Sequence, residues 1–117
     1  MKLEVGMYVR TKRGQIGKIT TIGKDNVAIE FNGMWQDIVS KKNIVKEPSF
    51  DFLDLIEAGD VISLSEDIDN FKKEYIIGIP DLITLDAIKE KIENGNLRLV
   101  GIVTKERFEN IEYKFVN

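Results

Sequence analysis

Apolar and polar residues alternate with a short period through the first part of the chain, and the alternation is broken by turn residues every few positions. Met7 to Thr11 reads as a short strand closed by the turn Lys12-Arg13-Gly14. Gln15 to Ile22 then alternates with period two, with Ile16, Lys18, Thr20 and Ile22 on one face and Gln15, Gly17, Ile19 and Thr21 on the other. Gly23-Lys24-Asp25-Asn26 is the next turn. Val27 to Phe31 is β-branched and aromatic, and Asn32-Gly33 behind it is a strong hairpin signal, because both central positions of a type I′ turn need positive φ. Met34 to Val39 is its return strand. Ser40 to Asn43 then turns, with room for one turn of 3₁₀ helix, before Ile44-Val45 completes the sheet. Five short strands on connections this short predict a small closed barrel, since closure removes exposed edges.

Pro48 biases Glu47 toward extended backbone and removes a ladder donor, which puts a boundary there. Beyond it, Val61 to Leu64 and Tyr75 to Ile79 read as a hairpin around a polar tip, Ser65 to Asn70, with Pro80 ending the second strand. Thr84 is the expected N-cap of a helix over 85–93, with Leu85, Ile88 and Ile92 on one stripe and Gly95 just past its end. Leu97 to Val103 is a strand, Thr104 to Glu109 a short helical turn, and Ile111 to Phe115 the last strand. An echo joins the halves: Leu3-Glu4-Val5-Gly6-Met7-Tyr8-Val9 and Ile56-Glu57-Ala58-Gly59-Asp60-Val61-Ile62 share the order apolar, Glu, small apolar, Gly, any, strand, strand. The fold class is therefore α+β and mostly β: a small barrel over 1–48, then a strand-rich module over 49–117 with one helix.

Composition narrows the function. The 117 residues include neither cysteine nor histidine, so thiolate chemistry and the usual general base are excluded and no catalytic, cofactor or metal site is expected. Ser65-Glu66-Asp67-Ile68-Asp69-Asn70 places oxygens at alternate positions, but it lacks the glycine and terminal glutamate of a calcium loop. No stretch has the length of a signal peptide's apolar run or of a membrane span, so a cytoplasmic location is expected.

The net charge of −3 hides an asymmetry. Residues 1–48 carry nine basic and five acidic side chains, and residues 49–117 carry eight basic and fifteen acidic. Asp51, Asp54, Glu57, Asp60, Glu66, Asp67, Asp69 and Glu74 place eight carboxylates on a stretch opposed only by Lys72 and Lys73. Such a cluster on a small rigid module is a candidate for imitating nucleic-acid phosphates against a basic protein groove, or it is ordinary solubilising charge. Most aromatic residues, Phe71, Phe108, Tyr113 and Phe115 among them, are expected in the core. Phe50 and Phe52, following the boundary in an alternating run, weld the modules or face a partner.

Val5-Gly6-Met7-Tyr8-Val9-Arg10 followed by Gly14-Gln15-Ile16-Gly17-Lys18-Ile19 resembles the KOW motif of ribosomal proteins and transcription-elongation factors. That resemblance implies a Src-homology-3-like (SH3-like) barrel, a scaffold used for RNA, DNA and protein binding alike. It makes Arg10, Lys12, Arg13, Lys18, Lys24, Lys41 and Lys42 candidates for phosphate contact, with Trp35 or Tyr8 stacking; the competing reading is a solvated loop face around a core tryptophan. Met1 to Thr11, Asp54 to Val61 and Ile102 to Tyr113 together look like small phage and prophage proteins of low-GC Gram-positive bacteria. This second resemblance implies an accessory protein that binds and inhibits a host or defence protein, in the manner of an anti-CRISPR protein. The alternative is a nucleic-acid-binding module that uses the basic face of the first barrel.

Overall fold

The computed structural model describes residues 2–31 and 35–110, the last three by their backbone alone. The chain divides into two compact units, Met1–Leu55 and Ile56–Asn117. In the first unit, β1 (Tyr8–Arg10), β2 (Ile16–Ile22), β3 (Asn26–Phe31) and β4 (Trp35–Ser40) form an antiparallel meander in sequence order. Period-two alternation sends Val9, Ile19, Val27, Ile29 and Val39 to one face, where with Ile44 they make the core, and Leu3, Met7 and Phe31 pack at its margin. Gly17 sits in β2 where an added Cβ would come within 3.1 Å of the Ile29 side chain and the Glu30 carbonyl, so the β2–β3 approach depends on its bareness. Asn32-Gly33 lies outside the described residues, although the strands on either side pair antiparallel from Phe31 and Trp35 onward.

The expected closed barrel is corrected to an open four-stranded sheet, since no strand ladder joins β4 to β1. After β4 a 3₁₀ turn, Lys41–Asn43, is capped by the Ser40 hydroxyl accepting from Lys42 N, and the chain returns to β1 through single bridges. Thr11 bridges Ile44, and Val45 N donates to Arg10 O at 3.0 Å.

Residues 49–55 belong to the first unit, beyond the boundary expected at Pro48. Ser49 and Tyr8 exchange two backbone hydrogen bonds, of 2.6 and 3.1 Å. A second 3₁₀ turn, Phe52–Leu55, then lies over the side of β1 away from the core. The Phe52 ring meets Tyr8 edge-on at 5.2 Å, and Leu55 O accepts from Arg10 Nη1 at 2.9 Å. Phe50 stays 60% exposed, with one ring edge against Gly6.

In the second unit β5 (Val61–Ile68) is the centre of an antiparallel sheet of order β6-β5-β7, with β6 at Phe71–Gly78 and β7 at Arg98–Val103. The sheet's core face carries Ile62 and Leu64, both wholly buried. Helix α1 spans Leu82–Glu93 and contributes the buried Leu85 and Ile88; helix α2 spans Lys105–Asn110. The N-cap is Asp81, not Thr84: its Oδ1 accepts from Thr84 N at 2.7 Å, so Thr84 is the residue being capped. Gly95 follows the helix at φ 80°, as expected of a C′ glycine. The expected last strand, 111–115, lies outside the described residues.

The sequence echo is a shared turn. Met7 N donates to Glu4 O and Asp60 N to Glu57 O, each at 3.2 Å. Gly6 and Gly59 hold φ of 95° and 99°, and a strand opens next in both cases. Only glycine adopts that third turn position without strain, which is why the pattern repeats as Glu-x-Gly.

Candidate functional site

Two backbone hydrogen bonds gather the basic residues of the first unit. Lys12 N, in the β1–β2 turn, donates to Asn43 O at 2.8 Å, and Lys41 N donates to Asp25 O in the β2–β3 turn at 2.9 Å. Residues 41 and 43 are separated by a rise of about 4 Å along the 3₁₀ turn. Both strand turns are therefore tied to one short segment, and the side chains of Lys12, Arg13, Lys24 and Lys42 are exposed around it, with Lys41 half-buried. Asp25, also exposed, is the acid built into this arc.

Two other expected phosphate contacts stand elsewhere. Arg10 is 0% exposed and its guanidinium is used inside the unit, so it presents no cation to a ligand. Its placement follows from β1 parity: Val9 points to the core, so Arg10 points to the opposite side, and residues 52–55 cover that side. Lys18 lies 5.7 Å over the Tyr8 ring and stands opposite Glu30 in the ladder. Trp35 is 70% exposed rather than a core residue, but it begins β4, and the basic arc lies past that strand's other end. The stacking group and the cations are thus set apart by the length of the strand, about 17 Å.

The eight carboxylates do not form one surface. Asp51 and Asp54 belong to the first unit, where they are exposed: the Ser49 hydroxyl donates to Asp54 Oδ2 at 2.6 Å and accepts from Asp51 N at 3.0 Å, while Asp51 Oδ1 accepts from Leu53 N at 3.0 Å. Asp60 is 0% exposed, so the expectation that it faces a partner is corrected. Its Oδ2 accepts from Glu57 N at 2.8 Å and its Oδ1 from Lys105 N at 3.0 Å, pinning the start of α2 to the β5 turn. Glu57 is half-buried, with Lys105 Nζ at 3.2 Å. Glu66 accepts from the Tyr75 hydroxyl at 2.9 Å and stands opposite Lys73; Asp67 stands opposite Lys72. Glu74 lies across from Ser65, on the face of Asp67 and Lys72 and not on that of Glu66 and Lys73.

Asp69 is a turn residue rather than a surface ligand group. The expected polar tip 65–70 is instead a continuous ladder running to a two-residue turn, Asp69-Asn70, at φ 43° and 73°. Sequence reasoning took Ser65-Glu66-Asp67 for a loop; the available signal was Asp-Asn, two residues tolerant of positive φ between Ile68 and Phe71. Phe71, expected in the core, flanks that turn and is 75% exposed. The residues that sequence reasoning missed lie on the second unit's sheet: Ile76 is 79% exposed and Val103 also faces solvent.

Among the described residues no group of three or more histidine, cysteine, aspartate or glutamate side chains is placed to hold a metal ion, and no helix is long and apolar enough to cross a membrane. Comparisons with protein-family models, with curated proteins and with solved structures each gave no match to this chain.

Proposed function

We propose that this chain is a non-enzymatic binding protein that grips the phosphate backbone of nucleic acid through Lys12, Arg13, Lys24, Lys41 and Lys42 of its first unit. The observation that carries the reading is the pair of backbone hydrogen bonds, Lys12 to Asn43 and Lys41 to Asp25, which ties the turns that carry five cations to one 3₁₀ segment. The SH3-like reading of the unit is supported by the return of the chain to β1 at the Thr11–Ile44 bridge, after a meander and a 3₁₀ turn. A cationic arc without an aromatic partner suits phosphate contact rather than base readout.

Binding to a DNA duplex is expected to fall with a slope of about −4.5 in log affinity against log salt when five cations engage. Reversing Lys12, Arg13 and Lys42 to glutamate is expected to weaken it about tenfold or more, while Lys18→Glu, outside the arc, leaves it unchanged. Affinity indifferent to salt and to the triple reversal would sink the proposal.

The phage or prophage setting implied by the resemblance adds a second reading, binding and inhibition of a host or defence protein. It is favoured by the exposure of Asp51 and Asp54, whose carboxylates are set by Leu53 N and by the Ser49 hydroxyl respectively. The full eight-residue mimic has less support, because Asp60 is buried and Glu66 and Asp67 face lysines across the ladder. Capture of a basic nucleic-acid-handling enzyme that survives nuclease treatment and is lost in Asp51→Lys/Asp54→Lys would favour this reading over the first.

A further inference from the structure

We propose that two copies of this chain associate through the open face of the β6-β5-β7 sheet, related by a two-fold axis parallel to β5. The inference is independent of the nucleic-acid reading. Three rows of side chains cross that face. The first is Glu74, Ser65 and Arg98, with Ser65 itself buried; the second Ile76, Ser63 and Gly101; the third Gly78, Val61 and Val103; between the first two, β7 shifts register by one residue at the exposed Val100. Successive rows lie about 6.7 Å apart along β5 and β6.

Each row pairs opposites across β5. Acid on β6 is matched by base on β7, a large apolar side chain on β6 by glycine on β7, and glycine on β6 by valine on β7. A two-fold axis along β5 keeps every row on its own level and lays the β6 side of one copy over the β7 side of the other. Glu74 then meets the second copy's Arg98, Ile76 enters the space over the second copy's Gly101, and Val103 enters that over the second copy's Gly78, each contact occurring twice as an isologous interface requires. The two-fold axis lying across the strands would instead stack Ile76 on Ile76 and set Glu74 against Gly78, so the charge and size pattern selects the first arrangement.

Neither glycine is required by a close contact inside one copy, although Gly101 adjoins the irregularity at which β7 shifts register against β5 and Gly78 ends β6. A Cβ added at Gly101 meets no atom within 4 Å, one added at Gly78 comes no nearer than 4.0 Å to Val61, and neither holds a positive φ. Glycine within a strand marks a bulge or the close approach of another molecule, and the open space over Gly101 allows the second as well as the first. Ile76 at 79% exposure is the matching projection. Packed sheets lie about 10 Å apart, a distance that one large side chain and one empty position span together.

The test is sedimentation equilibrium of the full chain. A three-stranded face is at the small end of specific interfaces, so a dissociation constant on the order of 10–100 µM is expected. Gly101→Val places a Cβ that meets no atom of its own copy within 4 Å, so it should leave the melting temperature of the dilute protein unchanged or higher and raise the dissociation constant about tenfold or more. Glu74→Arg should weaken the dimer similarly, and Glu74→Arg/Arg98→Glu should restore it to within about threefold of the original, because the swap preserves complementarity only across this axis. A chain that stays monomeric at about 1 mM, or a dimer whose constant is unmoved by Gly101→Val and by the single reversal, overturns the proposal.

Discussion

The two units treat the second face of their sheets in opposite ways. In the first, the side of β1 away from the core is covered by the unit's own chain: Phe52 packs on Tyr8 and Leu55 O accepts from Arg10. In the second, the corresponding face of β5 carries small and apolar residues with Ile76 left in solvent. Both use alternating strands, and both open with the same Glu-x-Gly turn. The difference lies in the covering segment: residues 52–55 satisfy one face, and among the described residues none does the same for Ile76, which is left to an external surface. It teaches that alternation specifies two faces without saying which of them the chain will itself cover.

The comparison can be broken most severely at Asp60. Asp60→Ala removes the acceptor for both Glu57 N and Lys105 N in a buried site, and a loss of about 2–4 kcal/mol in unfolding free energy is expected from chemical denaturation. An effect below about 0.5 kcal/mol would mean that water replaces the carboxylate freely and that α2 does not depend on it. Next in size is Phe52→Ala, which strips the cover from Tyr8. A loss of about 2 kcal/mol is expected, discounted from a fully buried phenylalanine because Phe52 is half-exposed. The counterpart on the bare face, Gly101→Val, is expected to cost the isolated chain nothing, so the two substitutions together measure the contrast between a covered and an uncovered face.

The smallest effect sharpens a contrast within the second unit, where two carboxylates do similar work in opposite surroundings. Asp81 caps α1 in solvent, and hydrogen bonding to Thr84 holds its pKa below the ordinary 3.8. A lowered folded-state pKa makes its contribution fully present above the unfolded value and lost as pH falls through the folded one. Asp81→Asn retains a capping oxygen without the charge. The stability difference between Asp81→Asn and the parent chain should therefore be constant near neutrality and shrink as denaturation is followed from pH 5 downward. A difference that stays flat over that range would remove the ionised cap from the account.

Much of the local structure was legible from the residues. The meander of the first unit followed from period-two alternation broken by turn residues, and Gly95 marked the end of α1. The misreadings have physical causes. Ser65-Glu66-Asp67 looked like a loop because its polar side chains would be solvated in one; in the ladder Asp67 and Glu66 are solvated too, opposite Lys72 and Lys73. Asp81 and Thr84 are both competent caps, and which one acts depends on where the backbone leaves Pro80. The candidate site was legible only as a list of charges. Arg10 and Lys12, two residues apart and so of equal parity, have opposite fates, because residues 52–55 cover Arg10 in β1 while Lys12 stands in the turn beyond that strand.

By itself, the sequence determined strands, turns, the helix and the two glycine turns that open the units, because each depends on dihedral preference and on periodicity over a few neighbours. Tertiary structure decided the rest: that residues 49–55 join the first unit, that Asp60 is a clamp rather than a ligand group, that two basic turns are hydrogen-bonded to one 3₁₀ segment, and that Ile76 stands bare. Each of these rests on contacts between positions distant along the chain. Such contacts are set by the register of strands and by the excluded volume of whatever covers them, quantities that no local window of residues contains.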